Sequence, residues 1–238
     1  MSEKIYWKDP YIREFDARIE KMRGKEFTLD RTAFYPGGGG QPCDTGRVII
    51  EGKEHQIIES RKDGDDVLHI SLDDVISEEG AVVKGYLNWD KRYSYMRYHT
   101  AIHIISGVIE NGYAESFSKG GQIYEDKARI DWDMPMLNKE LAEKIIATSN
   151  KVAAEGHRVF AKNLSREEAL KIPNLSRTEP GRALIQRLEE VRVVDIDGFD
   201  MQADGGTHVA NTSEVGTIKL SKFENKGSHN KRIEFVLI

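Results

Sequence analysis

The hydrophobic period of this chain changes once, near residue 88, and that change limits what it can fold into. Before it, apolar runs are short: Glu26-Phe27-Thr28-Leu29, Gly46-Arg47-Val48-Ile49-Ile50, His55-Gln56-Ile57-Ile58, Val67-Leu68-His69-Ile70-Ser71 and Ala81-Val82-Val83-Lys84-Gly85-Tyr86-Leu87. Lys62-Asp63-Gly64-Asp65 and Glu79-Gly80 punctuate them. Short strands separated by such turns predict a small barrel or sandwich. After residue 88 the period becomes helical. Tyr98, Ile102, Ile105 and Ile109 follow i, i+4, i+7, i+11 spacing, with Asp90 as N-cap and Gly112 as stop. A second helix is predicted over 138–155, with Leu141, Ile145 and Val152 on its stripe and Gly156 at its end. A short third begins at Ser165, where Glu168 completes a capping box and Pro173 lies just beyond. Strands are predicted around 128–132, 158–160, 191–196, 215–220 and 233–237. The expected fold class is α+β: a β-rich domain over residues 1–88, packed closely on a domain of antiparallel sheet and helices over 89–238. No linker-like composition separates the two.

Several function classes drop out on composition. No run of 18 apolar residues exists, so no transmembrane helix is expected, and the opening Met1-Ser2-Glu3-Lys4-Ile5-Tyr6-Trp7 has no apolar secretory core. The single cysteine, Cys43, cannot form an internal disulfide, which fits a reducing cytoplasm. The 35 basic and 40 acidic side chains give a net charge of −5. A nucleic-acid coat protein would be basic, but an enzyme that meets RNA transiently needs only local positive patches.

The chemistry concentrates in two places. His99-Thr100-Ala101-Ile102-His103 puts two imidazoles four residues apart, on one face of the predicted helix. Two nitrogens at that spacing can converge on one metal ion, and zinc wants such a pair plus one or two more ligands. A hundred residues later, Asp200-Met201-Gln202-Ala203-Asp204-Gly205-Gly206-Thr207-His208-Val209 offers a carboxylate and a third imidazole around a Gly-Gly turn. Either element alone reads equally as partly buried histidines or a polar turn; the two together favour a metal site. His99-Thr100-Ala101-Ile102-His103 lacks the glutamate general base of HExxH peptidases, which argues against peptide hydrolysis. Pro36-Gly37-Gly38-Gly39-Gly40 can be a bare turn or a backbone cradle for phosphate, but without a following Lys-Ser/Thr it is not a P-loop.

These motifs, in this order, resemble the editing domain of alanyl-tRNA synthetases and its free-standing relatives, the AlaX alanyl-tRNA editing proteins. The resemblance extends to Phe34–Gly46, which is similar to the glycine-rich segment of that family's β-barrel domain, and to Asn88–His99, which leads into the metal helix. It covers nearly the whole chain. It implies an N-terminal β-barrel and a zinc-dependent aminoacyl-tRNA deacylase, with one Zn2+ per chain. The implied partner is the acceptor end of tRNA(Ala) carrying a wrong amino acid, serine and in some members glycine. The implied metal ligands are His99, His103 and His208. Many members carry cysteine where this chain has Asp204, so the fourth place is taken either by the Asp204 carboxylate or by water. Gln202 and Thr207 are candidates for orienting water or supporting the ligands, and Gln41 for a polar contact beside the pocket. Thr100 and Thr207 are candidate partners for a seryl hydroxyl. RNA contact is expected from Lys91-Arg92-Tyr93 with Arg97, or from the C-terminal stretch 216–238, whose five Lys/Arg and two Glu leave it at +3. Two other classes compete: a noncatalytic tRNA-binding module with a structural zinc, and an unrelated zinc hydrolase of small esters or amides.

Overall fold

Strict alternation closes the first unit. In the computed structural model, which describes residues 1–113 and 116–238, the chain divides into two units, Met1–Tyr95 and Met96–Ile238. The first begins with β1 (Glu3–Lys4), paired in parallel with β4 (Arg31–Thr32), and a single helical turn α1 (Ile5–Lys8). Its body is a closed six-stranded antiparallel barrel of β2 (Glu14–Arg23), β3 (Glu26–Leu29), β5 (Gly46–Ile50), β6 (Lys53–Asp63), β7 (Asp66–Ser71) and β8 (Val82–Leu87), ordered β2-β3-β7-β6-β5-β8. Closure leaves no sheet edge exposed. Phe15, Ala17 and Ile19 of β2 point inward with Phe27, Leu29, Val48, Ile50, Ile57 and Val83. Sequence reasoning missed β2: its outward positions, Asp16, Arg18 and Glu20, are charged and mask the period of two.

Two buried polar groups hold this unit. Arg92 and Asp44 form an ion pair almost without solvent contact. Arg92 Nε donates to both Asp44 oxygens at 3.0 Å and Nη2 donates to Oδ2. Its remaining donors reach Pro10 O at 3.0 Å and Ala33 O at 2.5 Å, and Asp44 accepts the Tyr35 amide at 2.6 Å. Arg92 is therefore a structural residue and not the RNA contact that its surface-like sequence suggested. His69 stacks on Phe27 with ring centroids 5.5 Å apart. Thr32 Oγ1 accepts the Phe34 amide at 3.1 Å and gives its proton to His69 Nε2 at 2.8 Å; His69 Nδ1 donates to Phe27 O at 3.3 Å. Burial pushes His69 down to about 4.

α2 (Trp89–Gly112) begins in the first unit, where the Asn88 side chain, and not Asp90, accepts from the Lys91 amide at 3.4 Å. In the second unit it is buried on most sides, through Ala101, Ile104, Ile105, Val108 and Ile109. β9 (Phe117–Ile123), β10 (Ala128–Asp133), β14 (Ile218–Asn225) and β15 (Lys231–Leu237) form an antiparallel sheet ordered β14-β15-β10-β9. Tyr98 of α2 meets Phe235 of this sheet, ring centroids 6.0 Å apart. α3 (Lys139–Glu155) packs on β14; Asn138 caps it and Gly156 ends it in the left-handed region. A second antiparallel sheet, β11-β12-β13, comprises β11 (Val159–Ser165), β12 (Glu190–Ile196) and β13 (Asp200–Ala203). It shares a small core with α4 (Arg166–Lys171), which starts at the predicted Ser165 capping box, and α5 (Glu179–Ile185). The α+β class is thus observed.

Several other cations proposed for RNA are also engaged. Arg97 donates to Val215 O at 2.8 Å and Glu214 O at 3.0 Å. Arg232 makes two hydrogen bonds to Asp131, at 2.6 and 2.8 Å, Lys226 lies 3.4 Å from Glu224, and Lys231 is buried on Asn225 Oδ1 at 2.6 Å. The C-terminal hairpin forms, and Arg232, Lys226 and Lys231 each have a partner within its sheet.

Two measurements check this account. Arg92→Met leaves the Asp44 carboxylate buried and unpaired, and we expect a loss of about 3–5 kcal/mol in denaturant unfolding. His69 stays neutral in the fold at pH values where the unfolded chain, near its ordinary 6.5, binds a proton. Stability should therefore fall as pH drops from about 6.5 to about 4, by about 3 kcal/mol, and level off below. Subtracting the pH profile of His69→Gln from that of the unsubstituted protein isolates this slope; identical profiles would exclude it.

Candidate metal centre

Four lone-pair donors converge in the second unit. One turn of α2 separates His99 from His103, whose ring centroids lie 5.2 Å apart. The chain leaving β13 supplies Asp204 and, after a tight turn, His208, whose ring lies 4.4 Å from that of His99 and 4.5 Å from that of His103. One ligand atom from each of the four residues lies within 4.8 Å of all the others. Asp204 Oδ2 is 3.4 Å from His99 Nε2 and 3.9 Å from His103 Nε2, and Oδ1 is 3.3 Å from His208 Nε2. The imidazoles are buried; the Asp204 side chain is the most open of the four, 11% exposed.

Local structure explains why they meet. At Gly107 of α2 a Cβ would stand 2.6 Å from the Phe199 ring and 3.2 Å from Asp200 Cβ, so only glycine lets the helix lie against the start of β13. Asp204 is fixed to its neighbour strand: its amide donates to Arg192 O at 3.2 Å and its carbonyl accepts from Arg192 Nη1 at 2.8 Å. The Gly206 amide donates to Asp204 Oδ1 at 2.6 Å, which closes the turn.

Hydrogen accounting sets the His208 tautomer. Thr100 Oγ1 has one proton, and gives it to Met96 O at 2.9 Å. It accepts the Val209 amide at 3.3 Å, so its 3.2 Å contact to His208 Nδ1 is a hydrogen bond that His208 donates. His208 Nε2 then carries a lone pair, aimed at the carboxylate. A partner on the far nitrogen is how ligating histidines are oriented. The expectation that Thr100 meets a seryl hydroxyl is corrected, because its hydroxyl is already engaged three ways.

The electrostatics agree. Burial, then the neighbouring His99, push His208 down to about 4. Burial, then His208, hold His103 well below the ordinary imidazole value. Burial alone would raise the Asp204 carboxyl, but His99 and His208 outweigh it and hold it well below the usual carboxylate range. An ionised carboxylate thus lies 3.3 Å from His208 and 3.9 Å from His103, both held neutral. Four donors this close, three imidazoles and an ionised carboxylate, are the types and the spacing that a divalent metal takes, so the residues present fit one. Three imidazoles and one carboxylate are an accepted zinc set, and without a thiolate they also suit harder ions.

The other named residues fall elsewhere. Thr207 is fully buried beside His208. Gln202 donates to Asp200 Oδ2 at 2.6 Å rather than to Asp204. Gln41 belongs to the barrel unit, where its backbone pairs with Gly38 across a loop in which Gly37, Gly38, Gly39 and Gly40 all take positive φ. Sequence reasoning missed a buried group beside the centre: Glu110, Arg177 and Asp200.

Comparison with known proteins places this architecture. A family described as "Threonyl and Alanyl tRNA synthetase second additional domain" matches residues 191–234, which include Asp204 and His208, and "tRNA synthetases class II (A)" matches residues 6–91. The second match covers the barrel strands, the first covers Asp204 and His208, and His99 and His103 lie between the two. The alanyl-tRNA editing protein AlaX-M of Methanosarcina mazei is 39% identical over the whole chain and 97% of its own length, and that of Saccharolobus solfataricus 38% identical over the whole chain and 99% of its own. The alanine–tRNA ligase of Metallosphaera sedula is 33% identical over 99% of this chain, which corresponds to 26% of that enzyme. The chain belongs to the AlaX-M family of alanyl-tRNA editing proteins.

Thr100→Val removes the acceptor that orients His208. We expect metal affinity, measured by competition with a chromophoric chelator, to fall about 10–100-fold. His103→Ala should abolish stoichiometric binding while circular dichroism stays native. Unchanged affinity in both would show that the cluster is not the metal site.

Proposed function

We propose that the chain is a trans-editing hydrolase that deacylates mischarged tRNA(Ala), with serine as the principal amino acid removed. The observation that carries this reading is the buried His99-His103-His208-Asp204 centre in a chain similar over its full length to alanyl-tRNA editing proteins. We take the resident metal to be one zinc ion. Held by these four side chains, it would supply Lewis acidity toward the ester carbonyl. The protein's own part begins with exclusion of bulk water: three of the four ligands are almost wholly buried, and approach is left along the Asp204 side. Thr207 is proposed to orient the attacking water and Gln41 to contact the aminoacyl-adenosine; Gln202 acts through Asp200, which it holds. An ester needs little more, since its carbonyl is already activated relative to an amide.

Asp204 gives the competing reading its one argument. With it, the shell contains four protein ligands, as closed structural sites do. A noncatalytic tRNA-binding module would bind zinc and tRNA and hydrolyse nothing.

Deacylation of seryl-, glycyl- and alanyl-tRNA(Ala), each with and without a chelator, separates the two. We expect rapid, chelator-sensitive loss of serine with alanine spared. A site with polar groups left unpaired by alanine can discriminate by about 10⁴-fold, and glycine loss reports whether size also counts. A folded, zinc-loaded protein that hydrolyses none of the three would be the binding module.

A further inference from the structure

Beside the metal centre, Arg177 is 7% exposed and only partly paired. Its Nη2 donates to Asp200 Oδ1, and its Nε lies 4.0 Å from Glu110 Oε1, beyond hydrogen-bond reach. Nε and Nη1 are buried and have no hydrogen-bond partner among the described residues. A guanidinium deprived of both water and partners is an expensive arrangement, and native interiors seldom keep one without use.

Its position is fixed from three sides. His99, His103, Gly107 and Glu110 occupy one face of α2, and Gly107 brings Asp200 against it. Asp200, Gln202 and Asp204 alternate along β13 and its continuation, so their side chains leave on the same side. The segment carrying Arg177 is tied to β13 by the Ala203 amide on Leu175 O at 2.7 Å, and to α5 by Thr178, its N-cap. Arg177, Asp200 and Glu110 thus continue the line of the metal ligands, and the Arg177 charge is felt at His103.

Resting on the deacylase reading, we propose that Arg177 is a catalytic residue whose Nη1–H, on the edge of the guanidinium turned away from Glu110, receives the ester carbonyl oxygen of the aminoacyl-tRNA as that oxygen becomes negative. A water oxygen bonds to the carbonyl carbon, and the displaced π pair moves onto the carbonyl oxygen, where the Nη1–H holds it. When the pair returns, the bond from carbon to the ribose oxygen breaks. One proton of the water ends on that ribose oxygen, and the hydroxyl becomes part of the released amino acid. Asp200 and Glu110 keep the guanidinium charged and aligned.

The test uses full-length, zinc-loaded Arg177→Met and Arg177→Lys. Three readouts are taken: deacylation of seryl-tRNA(Ala) and of seryl-adenosine, affinity for a phosphonate analogue with tetrahedral anionic oxygens, and affinity for an amide-linked analogue. Removal of an oxyanion donor should lower kcat about 100-fold or more with little change in KM. Phosphonate affinity should fall in parallel, while the amide analogue and zinc content hold. The defect should persist on seryl-adenosine, which has no phosphate. Lysine, a single point charge, should restore only part. Equal loss for both analogues, a defect confined to KM, or a defect seen with tRNA but not with seryl-adenosine each overturns the assignment. Should Arg177→Met fail to fold, Arg177→Lys keeps the charge on Asp200, and an unchanged phosphonate-to-amide ratio in it overturns the assignment equally. If the unsubstituted protein hydrolyses nothing, the editing reading falls and takes this one with it; an active parent with an equally active Arg177→Met removes this one alone.

Discussion

Three imidazoles and a carboxylate share a volume that water barely enters, and the second unit is arranged around keeping them there. His99 and His103 are fixed by helix geometry, His208 by its hydrogen bond to Thr100, and Asp204 by the Gly206 amide and the Arg192 backbone. A cluster of this kind is a poor way to fill a core, since its polar groups forfeit hydration and His103 Nδ1 gains no hydrogen-bond partner among the described residues. Its persistence is intelligible if the missing partner is a cation. The closeness of α2 to β13, which one glycine permits, is what turns two distant motifs into one centre.

The two buried arginines make the same point by contrast. Arg92, in the barrel unit, has every nitrogen engaged: a carboxylate and two carbonyls meet it within hydrogen-bond distance. That is how an ion pair survives burial, with its remaining donors satisfied by fixed neighbours. Arg177 has one nitrogen engaged and two idle. Both side chains are nearly solvent-free, so burial does not distinguish them. What distinguishes them is completeness. A saturated charge is a structural element, and an unsaturated one beside a metal centre is poised for a ligand.

This distinction was not legible in the sequence, while much else was. His99-x-x-x-His103 and Asp204-Gly205-Gly206-Thr207-His208 reveal themselves because ligand spacing is local, and the helix period fixes where the first pair points. The capped ends of α3 and α4 were legible for the same reason: Asn138, Gly156 and the Ser165–Glu168 pair act within a few residues. Charged residues misled. Arg92 and Arg97 sit in a first helical turn that reads as solvated surface, and β2 hides its inward stripe behind three charges. Arg177 lies in Ser176-Arg177-Thr178-Glu179-Pro180, whose composition announces a helix start and nothing more. Its burial follows from elements 67 residues apart along the chain, Glu110 and the segment before α5, meeting in space; no short window contains that fact.

The fourth member of the set is a carboxylate, where a cysteine thiolate would be the softer choice. A thiolate would fill its place with one soft atom. Asp204 brings two oxygens, and the structure divides them: Oδ1 is engaged by the Gly206 amide and faces His208, while Oδ2 faces His99 and His103. A carboxylate so divided can hold a metal through one oxygen without losing the turn that the other oxygen closes. It is also the most open member of the set. Under the proposed function, a hard, hydratable ligand at the most open edge of the set suits hydrolysis better than it suits a sealed structural site.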